Sequence, residues 1–85
     1  MNHSVNEFPE DIRFLALLHN IGAVSPERSL SIEEIVRWAG IDHWKVKEKL
    51  LKLKSERYVD THVSDDIEKY YLTIDGIRKV LSIYS

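Results

Sequence analysis

Apolar residues recur at helical spacing near the start of the chain. The stretch begins at Pro9, a residue suited to the first turn of a helix, and ends at Gly22. Its apolar positions are Ile12, Phe14, Leu15, Leu17, Leu18 and Ile21. Because these positions form a broad stripe, the pattern predicts a first helix that packs into a core.

Two further helices are predicted on either side of Gly40. Ser31 and Glu34 have the spacing of a capping box, in which each side chain accepts a hydrogen bond from the other residue's backbone N–H. Gly40 suits the left-handed conformation that ends a helix, and Asp42 is placed to cap the next one. That third helix is predicted over residues 43–55. Its apolar arc consists of Val46, Leu50 and Leu53.

The last third of the chain changes from helical spacing to a strand-like composition and back. Residues 58–63 and 67–73 are rich in Val, Ile, Thr and Tyr, and residues 64–66 between them favour a turn. This pattern predicts a β-hairpin. Thr73 is placed to cap a final helix over residues 74–84.

These elements, with a very short strand at Leu30, follow the order helix, strand, helix, helix, strand, strand, helix. The order predicts an α+β, mainly helical fold, the winged helix-turn-helix, with a three-helix core, a β-hairpin wing and a closing C-terminal helix. A chain of 85 residues is expected to form one domain over residues 1–85, in which the polar residues 1–7 are flexible.

Positive charge is concentrated on the predicted third helix. The whole chain has a net charge of −2, but residues 42–57 carry six basic and three acidic side chains, a net charge of +3. Residues 58–69, in the predicted hairpin, have a net charge of −3. Because the local field decides binding to a polyanion, the third helix is the candidate nucleic-acid contact.

Several classes of function require residues that the chain lacks. Without cysteine there is no disulfide and no thiolate metal site, and the four histidines lack the spacing of metal ligands. No nucleophile elbow or glycine-rich phosphate loop is present, so we expect a protein that is not an enzyme and needs no cofactor. The absence of a long apolar run and of a signal peptide predicts a cytoplasmic protein with no membrane contact.

Two segments resemble small winged helix-turn-helix transcriptional regulators of the MarR, PadR and ArsR type. One is Gly40-Ile41-Asp42, followed by the apolar arc of the third helix. The other is Tyr70-Tyr71-Leu72-Thr73 with Gly76, which is similar to their Y-x-L-T-x-x-G segment. The resemblance extends over residues 12–81. It implies a DNA-binding regulator that inserts residues 43–55 into the major groove of double-stranded DNA.

A monomer this small would bind DNA weakly, so a homodimer is expected, and in the resembled families a closing helix of this kind often forms the dimer contact. The expected contact combines the outer face of the first helix with an apolar stripe on the closing helix. That stripe consists of Ile77, Val80, Leu81 and Tyr84.

The chain departs from these families in two places. Where they usually have a glycine after the third helix, this chain has Arg57, which requires either a left-handed arginine or a different turn. The predicted wing carries Asp65, Asp66 and Glu68 against a single Lys69. An acidic tip is repelled by phosphate, so the third helix is expected to bind with little help from the wing.

The candidate DNA-binding residues lie on the predicted third helix and near the end of the second. They are Arg37, His43, Trp44, Lys45, Lys47, Lys49 and Lys52. The lysines suit phosphate contacts, and those in the first turns also suit base edges. The alternative for Arg37 and the lysines is an ordinary solvated surface. Glu48 suits either of two roles: it accepts from a cytosine amino group, or it pairs with Lys52, four residues further on; of these, we expect the ion pair.

Trp44 is an unusual residue for the start of such a helix. If exposed, it would contact DNA or anchor a partner protein; if folded over Leu51 or the second helix, it would be half-buried. Trp38 is expected in the core or at its edge. The alternative function is a winged-helix protein–protein interaction module that uses the Trp44 and Leu51 face without binding DNA.

Overall fold

Four α-helices and one antiparallel β-hairpin form the part of the chain described by a computed structural model, residues 8–84. The helices are α1 (Glu10–Asn20), α2 (Ile32–Ala39), α3 (His43–Ser55) and α4 (Ile74–Ser82). The strands are β1 (Val59–Ser64) and β2 (Ile67–Leu72), and a short 3-10 helix spans Pro26–Arg28. This order confirms the predicted fold. The expected flexibility of residues 1–7 lies outside the described residues.

The starts of α2 and α4 have the caps that the sequence predicts. Ser31 Oγ accepts a hydrogen bond from the Glu34 N–H at 3.2 Å, and Glu34 Oε1 accepts one from the Ser31 N–H at 3.0 Å. Thr73 Oγ1 accepts a hydrogen bond from the Gly76 N–H at 3.0 Å. Asp42 occupies the predicted N-cap position of α3, but its side chain makes no capping hydrogen bond.

The core lies between the helices and the inner face of the hairpin. Its largest fully buried side chains are Leu15, Leu18, Ile35, Val46, Leu50, Leu53, Val59, Leu72 and Val80. The whole predicted apolar arc of α3 is among them. Burial of one leucine side chain contributes about 2 kcal/mol, so the arc holds α3 in one rotational orientation.

Leu30 joins the segment before α2 to the hairpin. Its N–H donates to the Tyr70 carbonyl oxygen at 2.9 Å, and its carbonyl oxygen accepts from the Tyr70 N–H at 2.7 Å. This isolated bridge confirms the predicted short strand.

The hairpin closes with a two-residue turn. Ser64 pairs with Ile67, which leaves Asp65 and Asp66 in the turn with φ values of 54° and 65°. Positive φ at both positions defines a type I′ turn, whose twist matches that of the two strands. The turn therefore places both carboxylates at the tip of the wing.

The exit from α3 uses the left-handed arginine, the first of the two alternatives. Arg57 has φ 66°, a conformation that costs a residue with a Cβ about 1 kcal/mol. The Thr73 hydroxyl donates to the Arg57 carbonyl oxygen at 2.7 Å, and the Tyr58 N–H donates to the Leu53 carbonyl oxygen at 3.0 Å. These bonds fix the turn that joins α3 to β1.

We expect Gly76→Ala to lower the free energy of unfolding by about 3 kcal/mol. An added Cβ would lie 2.1 Å from the Tyr58 carbonyl oxygen, which already accepts a hydrogen bond from the Thr73 N–H at 3.1 Å. Urea denaturation followed by circular dichroism measures the loss.

Gly22→Ala is the matched control for this substitution. A Cβ there meets nothing within 4 Å, although φ is +87°, so the expected loss is only about 1 kcal/mol. Equal losses for the two variants would show that the close approach at Gly76 is not what requires glycine.

Candidate nucleic-acid interface

One side of α3 is left uncovered, opposite its buried arc. This side, which we call the α3 face, consists of Trp44, Lys47, Glu48 and Leu51. Their spacing of three, four and seven residues brings them together on one side of a helix. Trp44 is 62% exposed and Leu51 is 52% exposed. Of the two alternatives for Trp44, the structure therefore shows the exposed one.

Lys49 lies on the other side of α3, against the start of α1. It is only 9% exposed, its Nζ donates a hydrogen bond to Glu10 Oε1, and the same Nζ lies 3.8 Å from Asp11 Oδ1. A buried, paired lysine reaches DNA only if its ion pairs break, which leaves buried charge uncompensated. We therefore correct the predicted contact set by removing Lys49.

Lys52 also turns toward α1. Its Nζ donates a hydrogen bond to Asp11 Oδ2. That bond raises the pKa of Lys52 and lowers the pKa of Asp11. Within residues 8–84 the ion pair of Lys52 is with Asp11, so the predicted pairing with Glu48 is wrong.

Together these four residues, Glu10, Asp11, Lys49 and Lys52, form what we call the α1–α3 ion cluster. The hydrogen bond from Lys49 lowers the pKa of Glu10, and the positive charges of Lys49 and Lys45 lower it further. The cluster joins residues 39 and 41 positions apart in the chain. It joins one edge of α3 to α1 and pairs two of the lysines that the sequence assigned to DNA, of which Lys49 is buried and Lys52 is exposed.

Three predicted cationic contacts lie outside this cluster. Arg37, near the end of α2, and Lys47, on the α3 face, are exposed, while Lys45 is half-buried. Lys45 borders a groove of about 260 Å³ that lies between α1 and the turn joining α2 to α3. The basic groups that remain available are therefore fewer than the charge count of α3 suggests.

Trp38, near the end of α2, is more exposed than the sequence predicts. Trp38 is 65% exposed, so its predicted place in the core or at the core edge is wrong. Its position away from the centre of the apolar stripe of α2 is the signal that indicates exposure. His43, the first residue of α3, is exposed as well, with Nε2 3.5 Å from Glu33 Oε2.

The wing tip is acidic and partly apolar. Asp65, Asp66 and Glu68 are exposed, as expected from the sequence. Val63 is 64% exposed and Ile67 is 49% exposed, which the sequence did not indicate because a short strand does not reveal which of its faces is covered. The wing offers no cluster of basic residues toward a phosphate backbone.

The closing helix α4 shows only part of the predicted dimer stripe. Val80 is fully buried and Ile77 is packed against the core, so their assignment to a surface contact is corrected. Leu81 is 51% exposed and Tyr84 is 57% exposed. Ile74, which lies outside the predicted stripe, is 69% exposed. An apolar surface remains on α4, but with different members.

Residues 8–84 contain no group of three or more His, Asp or Glu side chains placed to hold a metal ion. No helix in that range is both long and apolar enough to cross a membrane.

Two solved structures have the same arrangement of elements. One is the DNA-binding TubR fragment from Clostridium botulinum, with a TM-score of 0.75 and 19% identity over 98% of this chain and 99% of that one. The other is a mutant of S. aureus MepR, with a TM-score of 0.72 and 16% identity over 93% of this chain and 58% of that one. The chain is a winged helix. No protein-family profile matches this winged helix, and no curated protein sequence matches it.

We expect the double variant Glu10→Gln, Asp11→Asn to be less stable than the wild type at pH 7. Both carboxyl groups have a lowered pKa in the folded protein, so their stabilisation is present above the ordinary values of 4.5 and 3.8 and is lost as the pH falls through the lowered values. The difference in unfolding free energy should therefore shrink below about pH 4.

Urea titrations at several pH values measure this difference. Glu27→Gln is the control, because Glu27 is exposed and takes part in no ion pair among residues 8–84. A difference between the double variant and the wild type that stays constant down to pH 2 would contradict a stabilising role for the ion cluster.

Proposed function

We propose that this chain is a transcription regulator that binds double-stranded DNA by placing α3 in the major groove. The supporting observation is the α3 face, which the rest of the winged helix leaves uncovered, with an exposed tryptophan in its first turn. In helix-turn-helix proteins the N-terminal residues of the second helix contact base edges. A structural neighbour described as DNA-binding supports the same use of the fold.

The proposed contacts divide into two kinds. Arg37 and Lys45 bind phosphate, because the helix before the recognition helix crosses the backbone and Lys45 flanks the α3 face. His43, Trp44 and Lys47 lie in the first turns of α3 and meet base edges. Lys52 is outside this set, because its Nζ is held by Asp11.

The wing has a limited part in this proposal. Its exposed carboxylates at Asp65, Asp66 and Glu68 repel phosphate and keep the hairpin tip away from the backbone. Affinity then rests on few cations, and a single copy of the chain binds weakly. We therefore propose a homodimer, which engages two half-sites about 34 Å apart. Binding of this kind regulates most simply by occluding a promoter inside the cell.

The proposed dimer contact is centred on exposed apolar residues of α4 and of the turn that follows it. These are Ile74 and Leu81 on the helix and Tyr84 in the turn. Scattered apolar residues are ordinary on a protein surface, but three within residues 74–84 favour an interface.

A second candidate function is supported by the same α3 face. Trp44 and Leu51 are exposed apolar residues, and two nearby lysines are bound to α1, so the face also suits a protein partner. In this alternative the winged helix is an interaction module that does not bind DNA. Its affinity for a partner would depend weakly on salt, whereas DNA binding depends on salt steeply.

We expect the double variant Lys45→Ala, Lys47→Ala to bind duplex DNA about tenfold more weakly than the wild type at low salt. Removal of two phosphate or base contacts should also reduce the slope of log affinity against log salt by about two. Fluorescence anisotropy with a labelled duplex at several salt concentrations measures both quantities.

Lys79→Ala is the control for these lysine variants, because Lys79 is exposed on α4 and lies outside the proposed contact. It should leave affinity and salt slope unchanged. If the double variant binds duplex DNA as tightly as the wild type at low salt, the DNA-binding proposal is wrong.

We expect Leu81→Glu to convert a dimer into a monomer, because it places a charge in the proposed α4 contact. Leu51→Glu is a closely matched control: Leu51 is 52% exposed and Leu81 is 51% exposed, but Leu51 lies on the α3 face. Leu51→Glu should remain dimeric and lose DNA affinity. Sedimentation equilibrium at micromolar concentration gives the masses, and a monomeric wild type would contradict the dimer.

A further inference from the structure

We propose that α3 reads thymine methyl groups with Trp44 and Leu51, on either side of one G·C base pair that Lys47 and Glu48 recognise. This inference rests on the proposed function and specifies the class of DNA that the winged helix selects. It predicts a target defined by thymines as much as by guanines.

The two apolar residues of the α3 face are suitably spaced to contact two base pairs. Trp44 and Leu51 are seven residues apart, which places them on the same side of α3 and roughly 10 Å apart along its axis. Base pairs are spaced by about 3.4 Å along the duplex, so the two side chains meet positions about three base pairs apart. Both are more than half exposed, so each has apolar surface available to a ligand.

An apolar side chain in the major groove has one apolar group to contact. The C5 methyl group of thymine is the apolar feature of a base-pair edge there, and the other groups on those edges are hydrogen-bond donors and acceptors. Pressing an indole or a leucine against a donor or acceptor leaves a polar group without its water. Trp44 and Leu51 therefore favour thymine at the two positions they meet.

Two charged residues, Lys47 and Glu48, lie between Trp44 and Leu51 on the α3 face. Lys47 and Glu48 are adjacent in the chain and differ by about 100° around α3, so they lie on either side of the line from Trp44 to Leu51. A lysine donates to the O6 and N7 of guanine, and a glutamate accepts from the N4 amino group of cytosine. One G·C pair offers both groups. Contact with cytosine therefore accounts for an acidic residue, Glu48, on a helix face that binds a polyanion.

The α3 face has no net charge. The face carries one lysine and one glutamate, which cancel, whereas Lys49 and Lys52 are held by α1. A helix that only tracked phosphate would direct its lysines outward. Here the outward residues include two large apolar side chains, so discrimination between bases depends on them as well as on Lys47 and Glu48.

The test uses a duplex selected by the wild-type chain from a random pool. Each thymine in that duplex is replaced in turn by deoxyuridine, which removes only the C5 methyl group. We expect affinity to fall about fourfold at two positions of a half-site, as for the loss of one buried methyl-sized group. At one of these positions the Trp44→Ala variant should bind the thymine duplex and the deoxyuridine duplex equally. At the other position the Leu51→Ala variant should bind both equally.

Trp38→Ala is the control, because Trp38 is equally exposed but lies on α2. It should keep the preference for thymine over deoxyuridine. Glu48→Ala should relax the choice of the central G·C pair and leave the thymine preference intact. Circular dichroism of each variant verifies folding.

The outcomes separate this inference from the proposed function. If the wild type binds the selected duplex but ignores every deoxyuridine replacement, thymine reading is wrong and DNA binding stands. If Trp44→Ala and Leu51→Ala both keep the preference, or Trp38→Ala loses it, the assignment to the α3 face is wrong. If no duplex is selected or bound at low salt, the proposed function itself fails.

Discussion

The ion pairing between α1 and α3 is the constraint on which the candidate interface depends. Lys49 is nearly buried, and a buried ammonium group is costly unless carboxylates compensate it. Glu10 and Asp11 supply that compensation from the first turn of α1, where negative charge also suits the helix dipole. With the apolar arc buried on an adjacent side, only one orientation of α3 satisfies both sets of contacts. The α3 face is the side that remains.

This arrangement changes how the charge of α3 relates to binding. The net charge of +3 over residues 42–57 suggests a uniformly basic helix, but part of it is neutralised within the fold. Of the predicted basic contacts, Arg37, Lys45 and Lys47 lie outside the ion cluster; Lys54 and Arg57 are exposed only near the C-terminal end of α3, and the wing is acidic. With few basic groups near the start of α3, binding gains less from counterion release than it would on a strongly basic helix, so apolar contact from Trp44 and Leu51 becomes more important to selectivity.

The local features of the fold were predictable from the sequence, and the long-range ones were not. The capping box at Ser31 and the bounds of α3 depend on neighbouring residues, so spacing alone identified them. The role of Lys49 depends on a carboxylate 39 positions away, which no local pattern contains. For the same reason the spacing predicts Val80 on the surface although it is buried: a helical stripe does not show which of its residues another element covers.

The most direct test of the account is the nuclear magnetic resonance spectrum of the ¹⁵N-labelled chain as its selected duplex is added. The chain has two tryptophans, so the spectrum contains two indole N–H signals, one of them from Trp44. We predict that this signal and the amides of the α3 face shift most, while the amide of Leu81 on α4 changes little. An unchanged Trp44 signal, with the largest shifts on the hairpin or α4, would contradict it.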